Sequence, residues 1–246
     1  MNIVYLGSGQ FGLPCLDAIS LSNHKISLVI TQPAQPAGRG RKLSSTPAAN
    51  WAVEHSIPLI EIPDVNAPDI VSRIREEKPD LLVVIAFGQK ISKEVTDIAP
   101  KGAINVHGSL LPRYRGAAPI NWAIINGDSE TGISIITVAE RMDAGDILSQ
   151  CKTEITGDES ADELHDRLAK LAAPLLITTI DQIAAGIAKY SKQDDVTASR
   201  APKLKKTDGF LDFTESAEVL HRKILGLWPW PGVSALYHSQ QSGRTE

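Results

Sequence analysis

The chain has 246 residues and a formal net charge of −4 at pH 7; 42% of its residues are hydrophobic and 22% are charged. These values are typical of a globular protein with one large domain, or with one domain and an appendage. The mild acidity argues against a general nucleic-acid coat protein but leaves room for a local basic patch. The two cysteines, Cys15 and Cys151, and the six histidines lack disulfide-framework or metal-ligand spacing, so neither kind of site is predicted.

The sequence contains no basic leader before its first apolar run and no apolar stretch long enough to span a membrane. These two features predict a cytoplasmic protein that does not bind a membrane. We expect a monomer.

Short apolar runs alternate with helical patterns along the first part of the chain. Strands are predicted at residues 3–6, 26–30, 59–62 and 81–86, and helices at residues 11–21, from residue 46, and around residues 70–74. The run at 81–86 is apolar throughout, which indicates burial on both faces. This alternation predicts an α/β fold with a Rossmann-like, mostly parallel sheet and helices on both of its faces.

The pattern changes after Asn105. A helix is predicted from Pro119, followed by strands near residues 133–138 and 147–155. The capping box at residues 160–163 begins a long helix that ends near Gly186 and that Pro174 should bend. A polar, lysine-rich linker, a short helix at residues 217–225 and one possible strand at residues 233–237 follow.

Gly7, Gly9 and Gly12 have the G-x-G-x-x-G spacing of a dinucleotide-binding turn. That motif requires an acidic residue about 20 positions later, at the end of the second strand, to bind the ribose. The second strand here ends in Thr31 and Gln32, and after Asp17 no acidic residue occurs before Glu54. The hypothesis of a nicotinamide-dependent oxidoreductase is therefore supported by the three glycines alone. A tight turn between a strand and a helix explains these glycines better.

Asn105 and His107 alternate onto one face of a short predicted strand. In an open α/β sheet, ligands bind at the carboxyl ends of the strands, where this pair lies. Attack of an amine on a formyl carbon produces a negatively charged oxygen, which an amide can stabilise while an imidazole relays a proton. An isolated Asn-x-His pair is more often structural, so the interpretation depends on its neighbours.

Those neighbours carry a family resemblance. Residues 105–116 (NVHGSLLPRYRG), 130–133 (ETGI) and 142–147 (MDAGDI) resemble the formyltetrahydrofolate-dependent formyltransferases, and the likeness runs in order from about residue 1 to residue 232. It implies a formyltransferase domain at residues 1–188, a basic linker at residues 189–208 and part of a C-terminal domain at residues 209–246. It further implies that residues 209–246 are only the beginning of a β-barrel.

The resemblance also implies functional residues. Asn105 and His107 would be the catalytic pair, with Asp143 as their carboxylate partner, although spacing alone leaves Asp146 as a rival. The donor would be 10-formyltetrahydrofolate, with no metal ion. The residues expected to contact it are Ser109, Leu110, Leu111 and Pro112, with Phe87 and Gly88 beside the pteridine.

Two basic segments indicate which molecule accepts the formyl group. Arg39, Arg41 and Lys42 lie in a glycine-rich loop that suits phosphate contacts and resembles the tRNA-contacting insertion of the family members that formylate methionyl-tRNA. The linker adds Lys203, Lys205 and Lys206. Initiator methionyl-tRNA is therefore the predicted acceptor, and such a local basic footprint predicts salt-sensitive binding.

Two further alternatives remain. A formyltransferase that acts on an amino sugar nucleotide would share every catalytic residue. A tRNA- or folate-binding protein without catalytic activity would share the binding residues only. An assay of formylated product with each acceptor distinguishes these alternatives from the predicted function.

Overall fold

The computed structural model describes residues 1–37 and 42–236. The strands are β1 (Asn2–Gly7), β2 (Lys25–Thr31), β3 (Gln35–Ala37), β4 (Lys42–Ser44), β5 (Leu59–Glu61), β6 (Leu81–Ile85), β7 (Ala103–His107), β8 (Arg115–Gly116), β9 (Glu130–Thr137), β10 (Ile147–Glu154) and β11 (Arg200–Ala201). The α-helices are α1 (Leu13–Ser20), α2 (Pro47–Glu54), α3 (Pro68–Glu76), α4 (Lys93–Thr96), α5 (Pro119–Ile125), α6 (Ala161–Ala184) and α7 (Ala217–Gly226).

Seven strands form the central sheet in the order β10-β9-β7-β6-β1-β2-β5. The five strands from β7 to β5 are parallel, and β9 runs antiparallel between β7 and β10. The predicted α/β fold with a mostly parallel sheet is confirmed. The strand at residues 81–86 is β6, which is buried throughout its length as its continuous apolar run predicts.

Helices cover both faces of the sheet, which divides the core in two. One cluster packs α1, α2 and α6 against the sheet, and its buried residues include Leu16, Leu164 and Leu168. The other packs α3 and α4 against the opposite face and includes Val71 and Val95. No helix in the described ranges is both long and apolar enough to cross a membrane.

The predicted capping box forms at the start of α6. The Ser160 hydroxyl accepts a hydrogen bond from the Glu163 amide, and the Glu163 carboxylate accepts one from the Ser160 amide. Together these bonds satisfy two amides that would otherwise lack partners. Helix α6 packs along α1 and against β9 and β10, and so supports the two antiparallel strands at one side of the sheet.

The lysine-rich segment at residues 189–208 is attached to the main domain at two places. Ser191 bridges to Ile147, and β11 pairs in parallel with β8, joining Arg200 to Arg115 and Ala201 to Gly116. Sequence reasoning treated this segment as a linker without regular structure. It missed β8 and β11 because two-residue strands are too short to show a period.

The last described segment packs α7 against α5, with the Asn121 side chain donating to the Gly226 carbonyl oxygen at 2.8 Å. Several of its large apolar residues are exposed: Phe210, Phe213, Trp228, Trp230 and Leu236. The possible strand at residues 233–237 is reduced to a bridge between Ser234 and Phe210, and Tyr237 lies outside the described residues.

Two glycines of the G-x-G-x-x-G motif, Gly7 and Gly12, make room for Tyr5. The Tyr5 ring is fully buried, and a Cβ atom on Gly12 would collide with its hydroxyl oxygen. A Cβ atom on Gly7 would lie 2.5 Å from that same oxygen and 2.5 Å from the Ile85 carbonyl oxygen of β6. The motif therefore serves internal packing at a tight turn.

We expect Gly7→Ala to lower the free energy of unfolding by about 1–3 kcal/mol, since the added methyl group must displace backbone in β6. Gly157→Ala is the matched control, because nothing lies within 4 Å of a Cβ atom at that position. Urea denaturation followed by circular dichroism measures both. Equal midpoints for Gly7→Ala and the parent protein would show that the turn has spare room.

Candidate active site

Asn105 and His107 lie on β7, between β6 and β9. Alternation along the strand places their side chains on the same face, as the sequence predicts. His107 is 6% exposed, and its Nε2 atom lies 2.9 Å from the carbonyl oxygen of Tyr114. Since a carbonyl only accepts, Nε2 carries the proton in this contact.

The second ring nitrogen of His107 faces a carboxylate. Its Nδ1 atom lies 3.7 Å from Oδ2 of Asp143, whose side chain is 13% exposed. The same Oδ2 atom accepts a hydrogen bond of 2.9 Å from the Gly116 amide of β8. When His107 carries two protons, each N–H therefore faces an acceptor, one a carbonyl and the other a carboxylate.

Asp143 lies in the turn between β9 and β10 with a φ of +52°, in the left-handed region. A residue other than glycine in that region costs about 1–2 kcal/mol, although aspartate is enriched there. Its backbone is held by two contacts to the linker residue Gln193, whose Nε2 donates to the carbonyl oxygens of Asp143 and Gly145, each at 2.8 Å.

Asp146, the rival of Asp143, is held through its backbone. Its amide donates to the Thr137 hydroxyl at 2.9 Å, and its carbonyl accepts from the Thr137 amide at 2.9 Å. These bonds fix the turn at the end of β9. The only described ion pair of His107 is with Asp143, so the geometry favours Asp143 as the partner of the imidazole.

The Asn105 side-chain amide is available to a ligand. The residue is partly exposed, and no hydrogen bond engages its side chain within residues 1–37 and 42–236. An amide nitrogen that is free to donate, on the same strand face as the His107 imidazole, suits stabilisation of a developing oxyanion.

The segment expected to contact the folate follows directly after β7. A buried hydroxyl braces it: Ser134 Oγ donates to the Ser109 carbonyl at 2.6 Å and accepts from the Leu111 amide at 2.9 Å. Gln150 of β10 donates to the Leu111 carbonyl at 2.9 Å and to Ser134 Oγ at 2.8 Å. The conformation of this loop is therefore determined mainly by residues on β9 and β10.

Of the remaining folate candidates, Leu111 is 3% exposed and Leu110 and Pro112 are partly exposed. The Phe87 side chain, 2% exposed, packs in the core, and its carbonyl accepts a hydrogen bond of 2.7 Å from Gln32. Gly88 follows with a φ of +77°. Contacts from this turn to a ligand would therefore come from backbone atoms around Gly88.

A cavity of about 620 Å³ opens beside the turn that carries Asp143. The charged residues that line it are mostly basic: Arg115, Arg141, Asp195, Arg200 and Lys203. Hydrogen bonds from Arg115 and Arg141 hold the pKa of Asp195 below its ordinary value, so this carboxyl is ionised at neutral pH. The cavity keeps a net positive lining even so.

The basic residues predicted to contact tRNA are described only in part. Lys203, Lys205 and Lys206 are exposed. Arg39 and Arg41 lie outside the described residues, and Lys42 begins β4, which pairs with β3 as a two-stranded ribbon. The predicted loop is thus flanked by paired strands.

Two family matches cover most of the chain. The family described as formyl transferase matches residues 1–180, and the formyl transferase C-terminal domain matches residues 203–242. The chain belongs to the formyl transferase family. This agrees with the resemblance seen in the sequence motifs and with the Asn105, His107 and Asp143 geometry.

Relatives and solved structures agree with that assignment. A methionyl-tRNA formyltransferase of Citrifermentans bemidjiense is 43% identical over 95% of this chain and 73% of its own length, and that of Geobacter metallireducens is 42% identical over 95% and 75%. The N-formyltransferase of Helicobacter canadensis, solved with folinic acid and dTDP-3-aminofucose, has a TM-score of 0.73 at 17% identity and covers 96% of this chain and 88% of its own. A sugar N-formyltransferase from a Shewanella species has a TM-score of 0.69 at 16% identity, with coverages of 100% and 95%. At such identities, the two structures establish the fold alone.

Sequence reasoning missed several residues of this formyltransferase site. Ser134 could have been found, because it is the polar residue in the otherwise apolar run at residues 133–136. Gln150 and Gln193 carried no such signal. Each lies among other polar residues, and only the folded chain shows what their amides contact.

We expect Ser134→Ala to lower the free energy of unfolding by about 1–3 kcal/mol, because it leaves the buried Leu111 amide without its acceptor. Hydrogen exchange at the Leu111 amide should accelerate in parallel. Ser72→Ala, which removes an exposed bond within α3, is the control and should change stability by no more than about 0.5 kcal/mol. Unchanged Leu111 exchange would contradict the bracing role.

Proposed function

We propose that the protein transfers the formyl group of 10-formyltetrahydrofolate to the amino group of methionine on initiator methionyl-tRNA, and so supports translation initiation. The observation that carries the choice of acceptor is the 43% identity, over 95% of this chain, to a protein named methionyl-tRNA formyltransferase. The observation that supports the chemistry is the Asn105, His107 and Asp143 cluster at the carboxyl edge of the sheet.

The site residues suit a formyl donor. When bound, the folate supplies the electrophilic formyl carbon. The Asn105 amide is available to donate a hydrogen bond to the formyl oxygen as negative charge develops there. The braced loop at residues 109–112 lies directly after His107, and its partly exposed Leu110 and Pro112 offer apolar contacts to the bound folate.

His107 and Asp143 handle the proton in this proposal. As the new bond from the amine to the formyl carbon forms, the amine loses a proton. As the bond from that carbon to the folate nitrogen breaks, the folate nitrogen gains one, and the His107 ring is suited to relay this proton. Asp143 faces Nδ1 at 3.7 Å and stabilises the ring when it carries two protons. In this proposal the Asn105 amide stabilises the oxyanion, and no metal ion takes part.

The basic cavity supports a phosphate-bearing acceptor. It adjoins the Asp143 turn, and Lys203 on its rim belongs to the exposed lysine group of residues 203–206. An acceptor strand that follows this rim would bring its aminoacyl end toward Asn105. The same function favours the cytoplasm as the compartment; a monomer remains an expectation from the sequence.

An amino sugar nucleotide is the second candidate acceptor, because a formyltransferase acting on it would share the Asn105, His107 and Asp143 cluster. The direct test incubates purified protein with 10-formyltetrahydrofolate and either methionyl-tRNA or a dTDP-amino sugar. We expect kcat/KM to be at least about a hundredfold higher with methionyl-tRNA. A preference for the sugar nucleotide would overturn the proposed acceptor while leaving the chemistry in place.

We expect Asn105→Ala, His107→Ala and Asp143→Asn each to lower kcat by at least about a hundredfold and to leave folate binding largely intact. The matched control is Asp146→Asn, which should be milder because that residue holds its turn through backbone atoms. Single-turnover assays and fluorescence titration with folate separate the two effects. Near-normal turnover in Asn105→Ala or His107→Ala, or a larger loss in Asp146→Asn than in Asp143→Asn, would contradict these roles.

Charge reversal at Lys205 and Lys206 should weaken tRNA binding and lower its log-log salt slope by about two, because each phosphate contact releases counterions. The matched control reverses Lys78 and Lys101, which are exposed just before β6 and β7 and hence lie at the opposite edge of the sheet. Filter binding of tRNA at salt concentrations from about 50 to about 200 mM measures the slope of log affinity against log salt concentration. Equal salt slopes in the two double variants would show that Lys205 and Lys206 do not contact the tRNA.

A further inference from the structure

Gln193 belongs to the segment that sequence reasoning treated as a polar linker, yet it contacts the Asp143 turn. Both N–H groups of its side chain are used, one on the Asp143 carbonyl and one on the Gly145 carbonyl, each at 2.8 Å. A single amide thus spans the turn that places the carboxylate opposite His107. The turn itself is confined, since a Cβ atom on Gly145 would collide with the Thr137 carbonyl oxygen.

The oxygen of the Gln193 side-chain amide is bound by a residue of β8. Its Oε1 atom accepts a hydrogen bond of 2.9 Å from Nε of Arg115, on β8. Arg115 is 10% exposed, and its Nη1 atom donates to Asp195 at 2.7 Å. This contact fixes the orientation of the amide, because the reverse orientation would point Oε1 at two carbonyls and Nε2 at a guanidinium N–H.

Strand β8 also contacts the Asp143 carboxylate directly. The Gly116 amide, one residue after Arg115, donates to Asp143 Oδ2 at 2.9 Å. Adjacent residues of β8 thus hold the side chain of Asp143 and, through Gln193, its backbone. The left-handed φ of +52° at Asp143 makes the turn dependent on such external bonds.

We propose that Gln193 is a positioning residue for formyl transfer, which acts by holding the Asp143 turn against β8 so that the carboxylate faces His107. This inference rests on the proposed function, because it assigns Asp143 its role in turnover. Gln193 itself does not touch the reacting atoms.

Gln193→Ala should lower kcat by about tenfold to a hundredfold while KM for both substrates changes less than about threefold. Gln193→Glu should be at least as damaging, because a carboxylate would face two carbonyl oxygens. Thr197→Ala is the matched linker control, since it removes a hydrogen bond confined to that segment, and its kcat should be unchanged. Equal kcat in Gln193→Ala and Thr197→Ala would overturn the proposal.

Introducing Gln193→Ala into the Asp143→Asn variant distinguishes positioning of the carboxylate from a general structural role of Gln193. If Gln193 acts through the carboxylate, Gln193→Ala should cause little further loss of kcat in Asp143→Asn, whereas independent effects would multiply. A full additional loss in the double variant would contradict the proposal.

A second readout does not depend on the acceptor. Exchange of the Gly116 amide proton, which is bonded to Asp143 Oδ2, should accelerate about tenfold or more in Gln193→Ala and remain unchanged in Thr197→Ala. Unchanged Gly116 exchange would overturn the positioning role even if the protein formylates methionyl-tRNA. Accelerated exchange in a protein that formylates neither acceptor would instead count against the proposed function alone.

Discussion

Three separate parts of the chain converge on Asp143 and its turn. Strand β7 presents His107 Nδ1 to the carboxylate at 3.7 Å, and β8 presents the Gly116 amide at 2.9 Å. The segment after α6 supplies Gln193, which holds the backbone on either side of Ala144. Removal of a carboxylate from water costs several kcal/mol, so a side chain only 13% exposed needs these partners.

The architecture explains why these parts meet. A parallel sheet directs the carboxyl ends of β1, β6 and β7 to one edge, and ligands bind outside that edge in open α/β folds. Strand β9 pairs antiparallel with β7 and ends with Thr137 opposite Ile104, so the turn between β9 and β10 begins beside the start of β7. This turn carries Asp143 and brings its carboxylate to within 3.7 Å of His107 Nδ1. Because β11 pairs with β8, the linker is held beside that turn.

Much of this arrangement could be predicted from the sequence. Apolar runs of strand length and the capping box at Ser160 are local signals, and they located the parallel sheet and α6 correctly. Asn105 and His107 were predicted to share a face because side chains alternate along a strand, and both residues do lie on β7. The family match adds the motif context that a two-residue spacing lacks.

The rest depended on tertiary contacts that leave no local pattern. Asp143 and Asp146 are three residues apart in one turn, and only the pairing of β9 with β10 decides which one faces His107. The pairing of β8 with β11 joins residues 85 positions apart through two-residue strands. Gln193 looks like any polar linker residue until its amide is seen to span the Asp143 turn.

The central claim is that His107 and Asp143 act as one unit, and a double-mutant cycle tests it most directly. The single-turnover rate is measured for His107→Ala, Asp143→Asn and the double variant with methionyl-tRNA as acceptor. If the carboxylate works through the imidazole, the double variant should be no slower than His107→Ala within about threefold. Losses that multiply in the double variant would show that the two side chains act independently and would contradict this account.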